Sequence, residues 1–383
     1  MSKINSEYPD ISFLRERARK KIPRFAFEYL DGGCNAEINL SRNTQEIREI
    51  ILRPNYLGPL TEVNLQTTLF GKTYDAPFGI SPIGLQGLMW PGATEILAQA
   101  AFEANIPFIL STVGTASIEK VAQITEGNAW FQLYNPTDKE IRNDLFKRLE
   151  SSGIDTLVLL ADVPSFGYRS KEIRNGLSIP PKLTLRNIQQ ILSRPHWALN
   201  TLIKGQPTFK TLDPYIPKGL SLKHLGMFMN KTFDGRLSPE IVQEIRQLWK
   251  GKLILKGVTT EEDIQKCIDF GIDGVIVSNH GGRQLDQGES AIMSLKNLVP
   301  AFGNKITLMM DSGIRTGSDV ASVLASGASF TFLGRSFMYG VSALGKAGGD
   351  HTIELLKKQL HQVMQQLDCN NISDLPNRVK ITN

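Results

Sequence analysis

Eight short apolar runs punctuate the chain: "APFGIS", "PFILST", "AWFQLY", "TLVLLAD", "KLILKG", "GVIVSN", "ITLMMD" and "SFTFLG". Each is continuously apolar rather than alternating, which suits parallel strands covered on both faces. Between them lie stretches of helical periodicity, such as "GATEILAQAAFEAN", "TEEDIQKCIDFG" and "TGSDVASVLASG", with Asp, Glu, Thr or Ser near their starts. Eight such units predict an α/β fold, a TIM (β/α)8 barrel. Ahead of it, "KKIPRFAFEYLDGG" reads as part of an N-terminal helical segment, opened near Pro23 and closed at Gly32 and Gly33.

The runs follow one another at short intervals except between "TLVLLAD" and "KLILKG", which start at residues 156 and 252. Unit four therefore carries a long insertion, at about 171–237. Its "SIPPKLT", "KGQPTFK" and "DPYIPKG" deny it a long regular element. Inserted loops of this size serve as lids or binding surfaces, or remain disordered.

Charge changes this picture. Residues 171–237 hold eleven Lys or Arg and three Asp or Glu, 11 − 3 = +8, so the rest of a chain of net +5 stands at −3. The basic residues are interleaved with Trp197, Leu202, Ile203, Phe209, Met227, Phe228 and Met229, a composition that suits an anionic membrane surface as well as a solvated lid. No stretch has the apolar length of a membrane span, and the termini carry no targeting signal. A cytoplasmic location is expected, peripheral on the inner face of the cell membrane if the insertion binds lipid. Cys34, Cys267 and Cys369 are too far apart for a metal pair or a disulfide framework, so no metal is expected. With the charge confined to one insertion, no nucleic-acid partner is expected either.

Reacting groups in such barrels gather where strands end. Those ends read Ser81, Ser111, Gln132, Tyr134, Asp162, Lys256, Ser278, His280, Asp311, Gly334 and Arg335, a polar set that a purely structural barrel has no reason to converge. "DSGIRTGSD" and "LGRS", after strands seven and eight, suit a phosphate: Gly313, Gly317 and Gly334 let backbone N–H groups approach, and Arg315 and Arg335 offer forked donors. No P-loop and no dinucleotide fingerprint is present. In "SNHGGRQLD" a titratable ring, His280, lies three residues from Arg283, a carboxylate anchor, and Asp162 is placed to stabilise a protonated imidazole. A base and an anion anchor so close together suit deprotonation of an acidic substrate.

These blocks also carry a likeness. "SNHGGRQLD" resembles the signature of the FMN-dependent α-hydroxy-acid dehydrogenases and oxidases, and "FEYLDGG", "WFQLY", "GYRSKEIRNG", "LILKGV", "DSGIRTGSD" and "LGR" resemble further family blocks in the right order. The nearest likeness is to the bacterial membrane-associated mandelate and lactate dehydrogenases. The resemblance implies one FMN-binding barrel domain over residues 1–383. It also implies oxidation of an (S)-2-hydroxy acid, mandelate-like, lactate or longer-chain, to the 2-keto acid. His280 would be the base, paired with Asp162; Arg283 and Tyr29 would bind the substrate carboxylate, Tyr134 the α-oxygen, and Arg169 would be a second arginine at the substrate. Lys256 would stabilise the negative charge of the reduced flavin, with Ser111, Gln132 and Ser278 touching its ring and the backbone of Pro82, Ile83 and Gly84 on the N5 side. Asp311, Gly313, Arg315, Gly334 and Arg335 would hold the ribityl phosphate.

Three positions depart from the pattern. Leu160 and Ile83 stand where relatives often have threonine, and Val113 replaces the tryptophan of glycolate oxidases, which implies room for a bulky substrate group. Gly84 and the absence of a haem-attachment motif favour a quinone-type electron acceptor over O2. The rival readings are an O2-using oxidase, a non-catalytic flavin-binding protein and an FMN-dependent isomerase; the resemblance further implies a homo-oligomer, a tetramer.

Overall fold

A computed structural model describes residues 3–58, 62–177, 184–217, 232 and 237–380. Each apolar run contributes a short strand: β1 (Phe78–Ile80), β2 (Ile109–Ser111), β3 (Trp130–Leu133), β4 (Thr156–Leu160), β5 (Lys252–Val258), β6 (Gly274–Val277), β7 (Thr307–Met310) and β8 (Phe330–Leu333). All pair in parallel with their sequence neighbours, β8 pairs with β1, and a bridge from Ile80 to Phe108 joins β1 to the start of β2, so the barrel closes. The expected TIM barrel is present.

The continuous apolar runs conceal an alternation whose two halves are both buried. Ile109, Trp130, Val158, Ile254, Ile276, Met309, Phe330 and Phe332 form one cluster, in the barrel interior. Leu157, Leu159, Leu253, Leu255, Val275, Val277, Leu308 and Met310 belong to the other, beneath the surrounding helices. A hairpin that the sequence pattern did not reveal, Thr67–Leu69 with Lys72–Tyr74, adds Leu69 and Tyr74 to the interior cluster, with Phe70 packed against it. Its two turn residues, Phe70 and Gly71, have φ of 52° and 82°, the left-handed pair of a tight hairpin turn. The aromatic stack of Phe70, Trp130 and Phe332 leaves this part of the interior apolar, and the polar strand ends are gathered at the opposite mouth.

The helix expected between Pro23 and Gly32 spans Arg24–Asp31, with Pro23 as its N-cap and Gly32 as its C-cap. The described part of the insertion folds as helices Ser170–Arg174, Leu185–Leu192 and Pro195–Lys204 and a 3-10 turn, Asp213–Tyr215. Trp197 pins it down. The indole N–H is shared between the carbonyls of Leu88 and Met89, each at 3.1 Å, and the ring meets Phe25 edge-on. Of the apolar residues counted toward a membrane surface or a solvated lid, Trp197 serves neither: it is 5% exposed, because burying the largest aromatic of the segment anchors the insertion to the barrel. Phe209 lines a cavity at the C-terminal mouth of the barrel instead of facing outward. Met227, Phe228 and Met229 lie outside the described residues.

Candidate active site

At the C-terminal mouth lies a cavity of about 710 Å³, within the usual size of small-molecule sites. It is lined by Tyr29, Pro82, Ile83, Gly84, Ser111, Gln132, Tyr134, Arg169, Lys256, His280, Arg283, Asp311, Gly313, Arg315, Gly334 and Arg335. The three departures, Ile83, Val113 and Leu160, line it as well. Two expected site residues, Asp162 and Ser278, stand behind the lining and act on residues within it.

The loop after β6 shows how. His280, Gly281 and Gly282 have φ of 58°, 66° and 72°, a left-handed run that is strained at the histidine. Neighbours impose it. Asn279 Nδ2 donates to Asn39 Oδ1, Asn43 Oδ1 and the Glu289 carbonyl at 2.8 to 3.0 Å, and the His280 N–H donates to Ser278 Oγ at 3.1 Å. Asp286, fully buried, accepts from the backbone N–H groups of Ala36 and Asn39 and so ties the loop to the start of the helix Ile38–Arg48. The ring is thereby held with Nδ1 3.0 Å from Asp162 Oδ1.

Burial is the largest influence on His280 and pulls its pKa below the ordinary 6.5, although the Asp162 carboxylate works to raise it. Burial pushes Asp162 upward, but the facing His280 and Lys256 charges overcome this and hold it below the usual carboxylate value. The remaining carboxylate oxygen, Asp162 Oδ2, is buried without a hydrogen-bond partner among the described residues. With Asp162 ionised, Nδ1–H donates to it and the neutral ring keeps Nε2 as a base.

Gly257 makes this pairing possible. It sits in a β-bulge of β5 at φ 96°, and a Cβ there would lie 2.5 Å from Asp162 Cβ. Its neighbour Lys256 is buried, donates to Ser278 Oγ at 2.8 Å and pairs with Asp311 Oδ2 at 3.1 Å. Burial acts to lower the Lys256 pKa, yet Asp311 and Asp162 outweigh it and keep the ammonium above its ordinary value.

The residues suit a flat, polar-edged anionic cofactor. Ser111 Oγ donates to Gln132 Oε1 at 2.9 Å, which fixes the amide and leaves Gln132 Nε2 a buried donor with no partner among the described residues. Such an orphan calls for an acceptor from a ligand. Arg335, also in the cavity lining, gives its donors to the carbonyls of Leu30, Gly281 and Gly32 at 2.8 to 3.1 Å, with no carboxylate hydrogen-bonded to it among the described residues. Burial, then the nearby Arg315 charge, pushes it down to about 9. Asp31 acts on it without a hydrogen bond, and a phosphate would supply a direct counter-charge. The helix Arg335–Leu344 opens there from Gly334 with no side-chain cap among the described residues, an N-terminus suited to an anion. Gly313 is constrained from behind: at φ 85°, a Cβ would lie 2.5 Å from the Asn43 carbonyl.

Burial pushes the phenols of Tyr29 and Tyr134 upward, so both remain hydroxyl donors in the cavity. Arg283 lies over the Tyr29 ring, 5.0 Å from its centroid, and donates to the Tyr29 and Gly32 carbonyls at 2.8 and 3.1 Å. Three contributors were not anticipated. Glu172 meets both arginines; Gln284 donates to the carbonyls of Asp162 and Ser165, each at 2.9 Å; Ser312 Oγ accepts from Gly281 N and donates to Asp311 Oδ1. Gln284 and Ser312 adjoin recognised motif residues. Glu172 sits in "GYRSKEIRNG" beside Arg169 but gives no signal of which cation it meets.

A family model described as FMN-dependent dehydrogenase matches residues 18–381. The chain belongs to the FMN-dependent dehydrogenase family. Within it the chain is 36% identical over 362 residues to an L-lactate dehydrogenase of Pseudomonas syringae pv. syringae, covering 94% of this chain and 95% of that one. It is likewise 36% identical to a putative L-lactate dehydrogenase of Mycobacterium tuberculosis, over 96% and 88% of the two chains. Among solved structures, a monotopic membrane (S)-mandelate dehydrogenase superposes with a TM-score of 0.91 at 34% identity, covering 97% of this chain and 98% of that one. FMN would suit both the orphan amide of Gln132 and the Arg335 guanidinium, which among the described residues hydrogen-bonds carbonyls but no carboxylate.

Proposed function

We propose that this FMN-dependent dehydrogenase oxidises an (S)-2-hydroxy acid to the 2-keto acid and passes the electrons to a quinone-type acceptor. The observation that carries the reading is the His280–Asp162 pair in one cavity with Arg283 and Arg169. FMN, when bound, supplies the two-electron acceptor. The chain does the rest. The arginines hold the substrate carboxylate and fix the α-carbon; Tyr134 donates to the α-oxygen; His280 Nε2 takes the proton, and Asp162 stabilises the imidazolium that results. Lys256, kept charged by Asp311 and Asp162, offsets negative charge accumulating at the cavity floor. Val113, Met89, Leu177 and Phe209 give the substrate end of the cavity an apolar wall, which favours a bulky uncharged side chain.

The acceptor reading draws on the insertion. Leu185 and Leu192 on one helix, and Leu199, Leu202 and Ile203 on the next, are each between 56% and 81% exposed, with Arg186, Arg194 and Lys204 among them. Their spacing puts the apolar residues of each helix on one face, an arrangement suited to the interface of an anionic membrane where quinones reside. No described helix is long and apolar enough to cross a membrane.

The test is anaerobic mixing of FMN-loaded protein with a panel of 2-hydroxy acids, followed by admission of air. Bleaching by (S)-mandelate, lactate or a longer-chain acid with slow recovery in air supports the proposal; fast recovery with peroxide makes the protein an oxidase. Absence of bleaching with FMN bound refutes turnover. Sedimentation with anionic vesicles tests the membrane face: replacing Leu185, Leu192, Leu199, Leu202 and Ile203 by serine abolishes binding, and equal partitioning overturns the idea.

A further inference from the structure

The two arginines assigned to the substrate carboxylate are already bridged by a carboxylate of the chain. Glu172 lies on the helix Ser170–Arg174; its Oε1 receives Arg283 Nη2 at 2.5 Å and its Oε2 lies 3.5 Å from Arg169 Nη1. The three side chains are only 12% to 14% exposed, so solvent screens the cluster weakly. Both guanidinium groups are otherwise tied to the protein. Arg283 Nη1 serves the Tyr29 and Gly32 carbonyls, and Arg169 donates to Gln284 Oε1 at 3.3 Å and to the Arg283 carbonyl at 3.5 Å. Arg283 Nε has no partner among the described residues and stays available to a ligand oxygen.

Two guanidinium groups and one carboxylate leave a net charge of +1, which one incoming carboxylate neutralises. A second carboxylate on the same ligand would meet no surplus cation here, and the nearby wall of Val113, Met89, Leu177 and Phe209 offers none. Glu172 is not needed to fasten its segment. Lys171 pairs with Glu37 Oε2 at 2.6 Å, Asn175 donates to Glu28 Oε2 at 2.6 Å, and the Asn35 N–H donates to the Tyr168 carbonyl at 2.8 Å.

We propose that Glu172 is a specificity-determining residue: it reduces the two-arginine site to a single net positive charge and thereby selects acids with one carboxylate and an uncharged side chain over dicarboxylic acids. The inference rests on the placement of the substrate carboxylate given under Proposed function. It is a statement about which anion the site accepts, and the acid chosen as probe need not react.

The experiment compares the FMN-loaded wild type, Glu172→Gln and Glu172→Asp, matched for flavin content and melting temperature. The probes are butanoate and butanedioate, a monoanion and a dianion of the same chain length, with dissociation constants read from the perturbed flavin absorbance at low ionic strength. In the wild type butanoate binds more tightly. Glu172→Gln shifts the ratio of the two constants toward butanedioate by about tenfold or more, the scale of one weakly screened charge at contact distance. Glu172→Asp, which keeps the charge, retains the wild-type preference. A ratio unchanged within threefold in Glu172→Gln overturns the proposal, and so does Glu172→Asp behaving like Glu172→Gln. Because binding is read without turnover, a wild type that no 2-hydroxy acid bleaches defeats the proposed reaction while this ratio still reports on Glu172.

Discussion

Replacing Asp162 by Asn separates the charge of the carboxylate from its shape. The amide retains an oxygen for the His280 Nδ1–H, now 3.0 Å from Oδ1, and places its nitrogen where Oδ2 has no partner to lose. With the amide oxygen facing Nδ1–H, tautomer and ring position are kept; with the amide turned over, the other tautomer is selected and the rate falls further. What disappears is the attraction between an imidazolium and a carboxylate about 4 Å apart, worth about 4 kcal/mol at an effective dielectric near 20. With His280 20% and Asp162 9% exposed, solvent trims this only in part, and about 3 kcal/mol is expected to remain. The rate of flavin reduction by substrate should fall by about two orders of magnitude. Asp162 also raises the His280 pKa against the larger effect of burial. The base must be neutral, so activity is lost as pH falls through that pKa, which already lies below 6.5; in Asp162→Asn this acid limb moves to still lower pH. The assay is stopped-flow bleaching across the acidic range, with FMN content unchanged because Asp162 does not line the cavity. A rate within threefold of wild type, or an acid limb displaced upward, would refute the assigned role of the pair.

Three further perturbations probe the scaffold of the site. Lys256→Met leaves the buried Asp311 without its ion-pair partner and should cost about 3–5 kcal/mol in urea unfolding; a loss under about 1 kcal/mol would mean the pair is not what satisfies Asp311. Gly257→Ala puts a methyl into Asp162 and forces alanine to φ 96°, so flavin reduction should slow at least about tenfold while the protein still folds; unchanged kinetics would show that the bulge does not set the Asp162 position. Trp197→Ala removes the insertion's buried anchor, at a local cost of about 3–5 kcal/mol. Proteolysis should then accelerate within residues 184–217 with the barrel's melting temperature nearly constant, and equal cleavage rates would contradict the anchoring role.

The barrel was legible because buried parallel strands leave long apolar runs, and eight of them at βα spacing admit few architectures. The hairpin against the interior was not, since three-residue strands carry too little periodicity and Phe70–Gly71 is an unusual pair for a left-handed turn. In the insertion the charge count pointed to a surface, but composition could not say which apolar residues face outward. Helical phase does. Once Pro195 is recognised as the first residue of a helix, Trp197 falls opposite Leu199, Leu202 and Ile203, and it is the buried one.

The block "SNHGGRQLD" shows why motif reading locates a site better than it apportions roles within it. Its left-handed run at His280, Gly281 and Gly282 turns the chain so that the flanking side chains meet different surroundings. His280 and Arg283 reach the cavity, whereas Asn279 and Asp286 bond the helix Ile38–Arg48 and its lead-in and Ser278 receives the Lys256 ammonium. The residues that hold the loop are as specific in type as those that line the cavity, because a strained histidine keeps its conformation only while its neighbours over-determine it. Sequence alone presents both sets as one polar cluster. Only the third dimension separates them, and it also brings in Glu172, whose charge decides what the two arginines can bind.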